Sequence, residues 1–244
     1  MNYKLYKFLT IKDGKLVSEA DKKTEWVIGK WNKFEGTLEA CKSGFHASRR
    51  IVDAQAYTQT EILAEVEVRG ASNIQTDKEA WSEMCIIRAW HWTKEDSVRK
   101  AIFAAELVID IFEKEYPEDD RPRLAIKAAK TWLEHSTREN SDIAEYAAYT
   151  AHAAANAAHA AADTANAATY ASRATYAAAD VTYATYTAYV GADVAYAVHT
   201  TYAAAAVAYA ANAANNILDK VEEWHLEHLK NLKPYVADSE PQEL

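Results

Sequence analysis

The chain has 244 residues, half of them hydrophobic, and a formal net charge of −9 at pH 7. That length exceeds the ~100–150 residues of a typical domain, so one large or two small domains are expected. Nowhere do lysines and arginines gather into the basic stripe that neutralises duplex phosphates, which argues against polymeric nucleic acid as a partner while leaving room for a small anion held by one or two cations.

Residues 1–96 read as a small β-rich or α+β module. Tyr3 to Leu9 predicts an opening strand, and Asp13-Gly14 a turn. Further strands are expected around Trp26-Val27-Ile28, over Ile62–Val68, where apolar and acidic residues alternate, and over Met84–Trp90. Glycines 14, 29, 36, 44 and 70 fall in this part, as turn-rich β structure requires.

From about Ser97 the pattern becomes helical. Val98 to Tyr116 places Ile102, Ala105, Val108, Ile109 and Phe112 at helical spacing. Pro117 and the acids after it end that run. Asp120 is the expected N-cap of the next helix, with Pro122 in its first turn and Leu124, Ile126, Trp132 and Leu133 as its apolar residues. Of the 78 residues from Ser141 to Leu218, 34 are alanine. Alanine has the best helix propensity but offers little area to bury, so such helices must approach closely, with larger groups filling the gaps. Ten of the fifteen tyrosines lie between Tyr146 and Tyr209, part of them in a 13-residue repeat that brings Tyr176, Tyr189 and Tyr202 into register. A final helix is expected over Ile217–Leu232, on which His225 and His228, three apart beside Trp224, read as half a metal site or as packed histidines on its apolar arc, and a flexible acidic tail over 234–244. The fold class is therefore α+β: the N-terminal module, then an all-α, Ala/Tyr-rich antiparallel bundle over 97–233.

A polar stripe runs along the Ala-rich part: His152, Asn156, His159, Asp163, Asn166, Tyr170 and Arg173, at steps of four and three that keep all seven on one helix face. It reads as a solvated face, as a surface lining a ligand site, or, through His159 and Asp163, as part of a metal site whose third ligand the sequence does not specify. Tyr176 and Tyr183 belong to the tyrosine set, which serves as gap-filling core or as a stacking surface for a flat ligand. In the N-terminal module, Gly44-Phe45-His46-Ala47-Ser48-Arg49-Arg50 reads as a turn followed by a hydrogen-bonded histidine, or as an anion or partner contact through His46, Arg49 and Arg50. No phosphate-cradling loop, GxSxG, HExxH or glycine-rich fingerprint occurs, so neither catalysis nor a cofactor is expected.

Three further features bear on location. The opening MNYKLYKFLT has no secretory character, and no stretch reaches the ~20 apolar residues of a membrane span. Cys41 and Cys85 have no CxxC spacing. The cytoplasm is the expected compartment.

Two resemblances add to this reading. Tyr6-Lys7-Phe8, Cys41-Lys42-Ser43-Gly44-Phe45-His46-Ala47-Ser48 and Cys85-Ile86-Ile87-Arg88-Ala89-Trp90 resemble an uncharacterised N-terminal module of phage and bacterial proteins, in which a GFHA turn and a closing IRxW/L strand recur. Ile102 to Glu106 and Tyr116-Pro117-Glu118-Asp119-Asp120-Arg121-Pro122-Arg123-Leu124-Ala125-Ile126 are similar to Ala-rich immunity proteins of bacterial toxin systems. The resemblance implies a role in bacterial or phage conflict. On it rests the expectation of a non-catalytic anti-defence protein that sequesters a nucleotide-derived immune signal. The rivals are an immunity-type cap on a toxin or defence effector protein and an oligomeric scaffold. A homo-oligomer is compatible with all three.

Overall fold

The computed structural model describes residues 4–58, 60–107, 109–144, 146, 147, 150, 151 and 217–236. The fold is α+β, with a near-closed antiparallel β-barrel followed in the chain by helices. Two compact units divide it: residues 1–92 with 225–244, and residues 93–224.

The barrel begins with β1 (Leu5–Lys12) and β2 (Lys15–Val17). Asp13 and Gly14 join them with φ of 52° and 75°, the two left-handed residues of a tight hairpin, which agrees with the expected turn. β3 (Glu25–Trp26) pairs with β2, and β4 (Trp31–Lys33) and β5 (Phe45–Ala47) both pair with β7 (Glu79–His91). The long hairpin of β6 (Ile62–Ile74) with β7 spans 13 residues on each side and shifts register twice, between Glu65 and Val66 and between Arg69 and Ser72. Closure runs β1–β6–β7–β5 and returns to β1 where Tyr6 and Ser48 exchange N–H···O bonds of 2.7 and 2.9 Å. Residues of period two from each strand fill the interior: Leu5 and Leu9, Ile62, Ala64 and Val66, Met84 and Ile86, with Trp26 and Ala47.

Outside the barrel, Phe8 meets Trp92 edge-on at 5.9 Å, and the Trp92 ring lies 5.7 Å from that of His225. His225, fully buried, shares a 3.2 Å hydrogen bond with Gln55 of α1 (Ile51–Tyr57). His225 is thus a packed, hydrogen-bonded histidine, as its place on the apolar arc indicated.

In the second unit, α2 (Lys94–Glu106) opens with a reciprocal cap: Thr93 Oγ1 accepts from the Asp96 N–H, and Asp96 accepts from the Thr93 N–H at 2.7 Å. α3 (Ile109–Glu115) and α4 (Arg121–Glu134) follow, and residues 138–144 are helical. α4 buries Ala125, Ile126, Ala128, Ala129 and Trp132, whose indole N–H donates to Ser141 Oγ at 3.0 Å. The last helix, α5 (Ile217–His228), passes from the second unit into the first between Trp224 and His225.

Several expectations are corrected. The single helix over Val98–Tyr116 is two, parted at Leu107, where the β-branched Val108-Ile109 pair follows and helix propensity falls. Asp120 holds the N-cap position of α4, as expected, but its side chain makes no cap bond. Asp119 accepts from the Arg121 N–H and guanidinium instead, at 3.2, 2.8 and 2.6 Å. Leu124, read as apolar core, is 49% exposed. The segment from Pro234 is not loose at its start: Tyr235 N–H donates to Ala89 O at 2.9 Å, so Pro234 and Tyr235 lie against the edge of β7. The polar stripe, the tyrosine repeat and the antiparallel Ala-rich bundle lie outside the described residues.

Candidate functional site: a cleft at the barrel seam

Barrel closure is thinnest between β1 and β5, where one residue pair makes the join, and a cleft of about 650 Å³ opens there. Its walls are β1 at Tyr6–Phe8, the β2–β3 loop at Ser18–Thr24, the 41–48 segment, the end of α1 at Tyr57, and Lys78 in the turn before β7.

The 41–48 wall is held by local bonds. Gly44 sits at φ +90°, and a Cβ there would meet Leu38 Cδ2 at 2.5 Å and Trp81 O at 3.2 Å. Only glycine fits so close an approach of the loop to β7. Cys41, also left-handed at φ +67°, donates its N–H to His46 Nε2 at 3.0 Å. Protonating Nε2 would break that bond. Burial, then the charges of Lys7 and Lys78, hold His46 below the usual imidazole range, outweighing the pull of the Glu39 and Gly44 carbonyls. His46 is a neutral, hydrogen-bonded wall residue of the cleft.

Lys7 occupies an inward position of β1, between Leu5 and Leu9. Its Nζ donates to His46 O at 3.2 Å and lies 5.9 Å from the Trp26 ring centroid. Burial lowers its pKa to about 8, against the attraction of Asp21. Burial alone would raise Asp21. Hydrogen bonds from Thr24 Oγ1 and the Lys23 and Thr24 N–H groups, with the charge of Lys7, instead hold its carboxyl below the usual range. Lys7 and Asp21 therefore balance each other.

Lys78 is different. It is only 6% exposed, its ammonium lies over the Tyr57 ring at 3.7 Å, and among the described residues it has neither an ion pair nor a side-chain hydrogen bond. Tyr57 is fixed beneath it by a hydrogen bond from its hydroxyl to Asp77. A cation–π contact of this kind is worth roughly 0.5–2 kcal/mol. Facing a cleft, the ammonium is a ready anchor for an anion.

Arg49 and Arg50 do not line this space. Arg49 pairs with Glu79, itself 1% exposed, and Arg50 holds Asp53 through two bonds of 2.7 and 2.9 Å. Of the residues that the sequence offered as ligand contacts, the structure places His46 in the cleft wall and Arg49 and Arg50 in ion pairs. His152, Asn156, His159, Asp163, Asn166, Tyr170, Arg173, Tyr176 and Tyr183 lie outside the described residues. Lys7, Lys78 and Tyr57 escaped the sequence reading. For Lys7 a signal was there, a charge at an inward position between Leu5 and Leu9. For Lys78, in a turn, there was none.

Among the described residues no group of three or more His, Cys, Asp or Glu is placed to hold a metal. None of the described helices is long and apolar enough to cross a membrane. Neither a curated protein nor a solved structure matches the chain. One family model does, that of a domain of unknown function, DUF7666, over residues 11–96; the barrel from the end of β1 to the start of α2 is similar to that domain.

Proposed function

We propose that the protein is a non-catalytic binding protein that takes up a small nucleotide-like anion in the barrel cleft and withholds it. The observation that carries this reading is Lys78, a residue 6% exposed whose ammonium has neither an ion pair nor a side-chain hydrogen bond among the described residues, lining a cleft of about 650 Å³. That volume lies within the roughly 300–1,000 Å³ of small-molecule sites. Aromatic groups share the lining: Tyr57 under Lys78, and Phe34 and Phe45, packed edge-on against each other at 6.4 Å. A flat ring joined to a phosphate matches that pairing of surfaces. His46, the cleft's imidazole, is engaged through Nε2 and does not serve as a general base, which favours binding over turnover.

The resemblance to proteins of bacterial and phage conflict supports taking the withheld ligand as a nucleotide-derived immune signal and the protein as an anti-defence agent. Mass spectrometry of small molecules released on denaturing protein expressed beside an active defence system tests this. A nucleotide-derived ion at near-stoichiometric yield is expected; its absence would remove the reading.

A second reading has its own observation. On the helical unit Ile143 and Tyr146 are 50% and 72% exposed beside Glu139, Asp142 and Arg138. An apolar patch whose rim carries two acids and one arginine has a net negative edge, which suits a basic protein partner, as an immunity-type cap would need. Co-purification of such a partner at fixed stoichiometry, weakened by salt, would favour it over sequestration.

A further inference from the structure

We infer that the cleft selects a ligand with a single negative charge, a phosphodiester of the cyclic-nucleotide type, and that Lys78 is the residue that binds it. This rests on the reading of the cleft as a nucleotide site and goes further by assigning its charge class.

The inference comes from pairing every charge on the cleft wall. Three ammonium groups, Lys7, Lys42 and Lys78, and two carboxylates, Glu19 and Asp21, line it. Lys42 is paired with Glu39, and Glu19 with Lys22 at 3.2 Å. Lys7 and Asp21 lie close enough that each favours the charged form of the other. His46 carries no charge at neutral pH, because its Nε2 accepts the Cys41 N–H and two lysines stand near it. Among the lining residues one positive charge is left over, that of Lys78; its neighbour Asp77 does not line the cleft and accepts from the Tyr57 hydroxyl.

Burial makes this count decisive. A wide, exposed cleft would tolerate surplus charge through counterions, but Lys78 is only 6% exposed and borders a confined cleft, so one anion meets its ammonium while a second negative charge entering with it finds no unpaired cation on the wall. A phosphodiester carries one charge at pH 7. A terminal phosphate monoester carries close to two, its second pKa being about 6, and a triphosphate carries more. Asp21 and Glu19, on the β2–β3 wall, repel the excess and accept hydrogen bonds from hydroxyl or amino groups, so the neutral part of the ligand is directed towards them.

Isothermal titration of the full chain at pH 7 separates these classes with four probes: 3′,5′-cyclic AMP, AMP, ATP and adenosine. The expected order places cyclic AMP at least about tenfold tighter than each of the others. Lys78→Met keeps the stem and removes the charge, and should weaken cyclic AMP about thirtyfold or more, as removal of one partner from a buried charge contact does. Asp21→Asn preserves the acceptor for Thr24 and frees Lys7 from its counter-charge. It should bring AMP level with or below cyclic AMP in Kd. This arm does not depend on how well the Lys78 variant folds. Wild-type protein that takes ATP, AMP or adenosine as tightly as cyclic AMP overturns the inference. So does an unchanged Kd in Lys78→Met, which would move the site elsewhere and leave nucleotide sequestration standing. No binding by any probe, together with no nucleotide released on denaturation, would remove both.

Discussion

The barrel and the helical unit each bury a lysine, and the contrast between them separates a candidate site from a structural cost. Lys78, 6% exposed, borders a cleft and stacks over Tyr57. Lys100, 0% exposed on α2 among Ala101, Ile102 and Ala104, borders neither described cleft, and burial lowers its pKa to about 7. The same group borders a candidate cleft in one region and in the other makes folding depend on pH. The regions also stop their chains differently. The barrel uses the left-handed Gly44 to turn tightly against β7, and the helical unit uses the reciprocal Thr93–Asp96 cap.

The largest effect is expected at the cleft. Lys78→Met should cost roughly 2–5 kcal/mol of anion binding while leaving the thermal midpoint unchanged or raised; titration and thermal unfolding read the two separately. Equal loss of stability would erase the distinction between the lysines.

Lys100 comes next. Its folded pKa lies below its unfolded value of about 10.4, so between pH 7 and 10 the unfolded chain binds more protons and stability rises with pH. Lys100→Met should flatten that rise and stabilise the protein near pH 7 by about 1–4 kcal/mol, measured by denaturant titration at several pH values. A slope unchanged by the substitution would contradict the assignment.

Gly44→Ala should destabilise the barrel by about 1–3 kcal/mol, through backbone strain and the clash with Leu38 and Trp81. It should also weaken nucleotide binding, since His46 and Cys41 share that wall. Thr93→Ala is the smallest, about 1 kcal/mol from the lost cap, with nucleotide affinity unchanged. Loss of affinity in Thr93→Ala and not in Gly44→Ala would reverse the division of roles.

How much of this could be read beforehand follows from element length and from what periodicity reports. The Asp13-Gly14 turn and the strands at 62–68 and 84–90 were legible because their signals are local. β4 and β5, three residues each, are too short to show a period, and α1 lacks a capping side chain at Arg50. The hairpin of β6 and β7 runs longer than its alternation suggests because the register shifts re-phase the pattern. Leu124 has the spacing of a core residue, yet α4 turns its alanines and Trp132 inward. The cleft was the least legible feature. Its charges come from β1, the β2–β3 loop and the turn before β7, and only the join of Tyr6 to Ser48 brings them together. The GFHA segment, distinctive in sequence, contributes Gly44 and the neutral His46 to the cleft wall, and the cations come from elsewhere.

Lysine side-chain NMR on the full chain, titrated with 3′,5′-cyclic AMP at pH 7, tests the central claim most directly, with the Lys78 and Lys100 signals assigned from their single variants. The account predicts a saturable shift of the Lys78 ε-methylene and ammonium signals, a smaller one at Lys7, and none at Lys100. Saturable binding with Lys78 unmoved would contradict it.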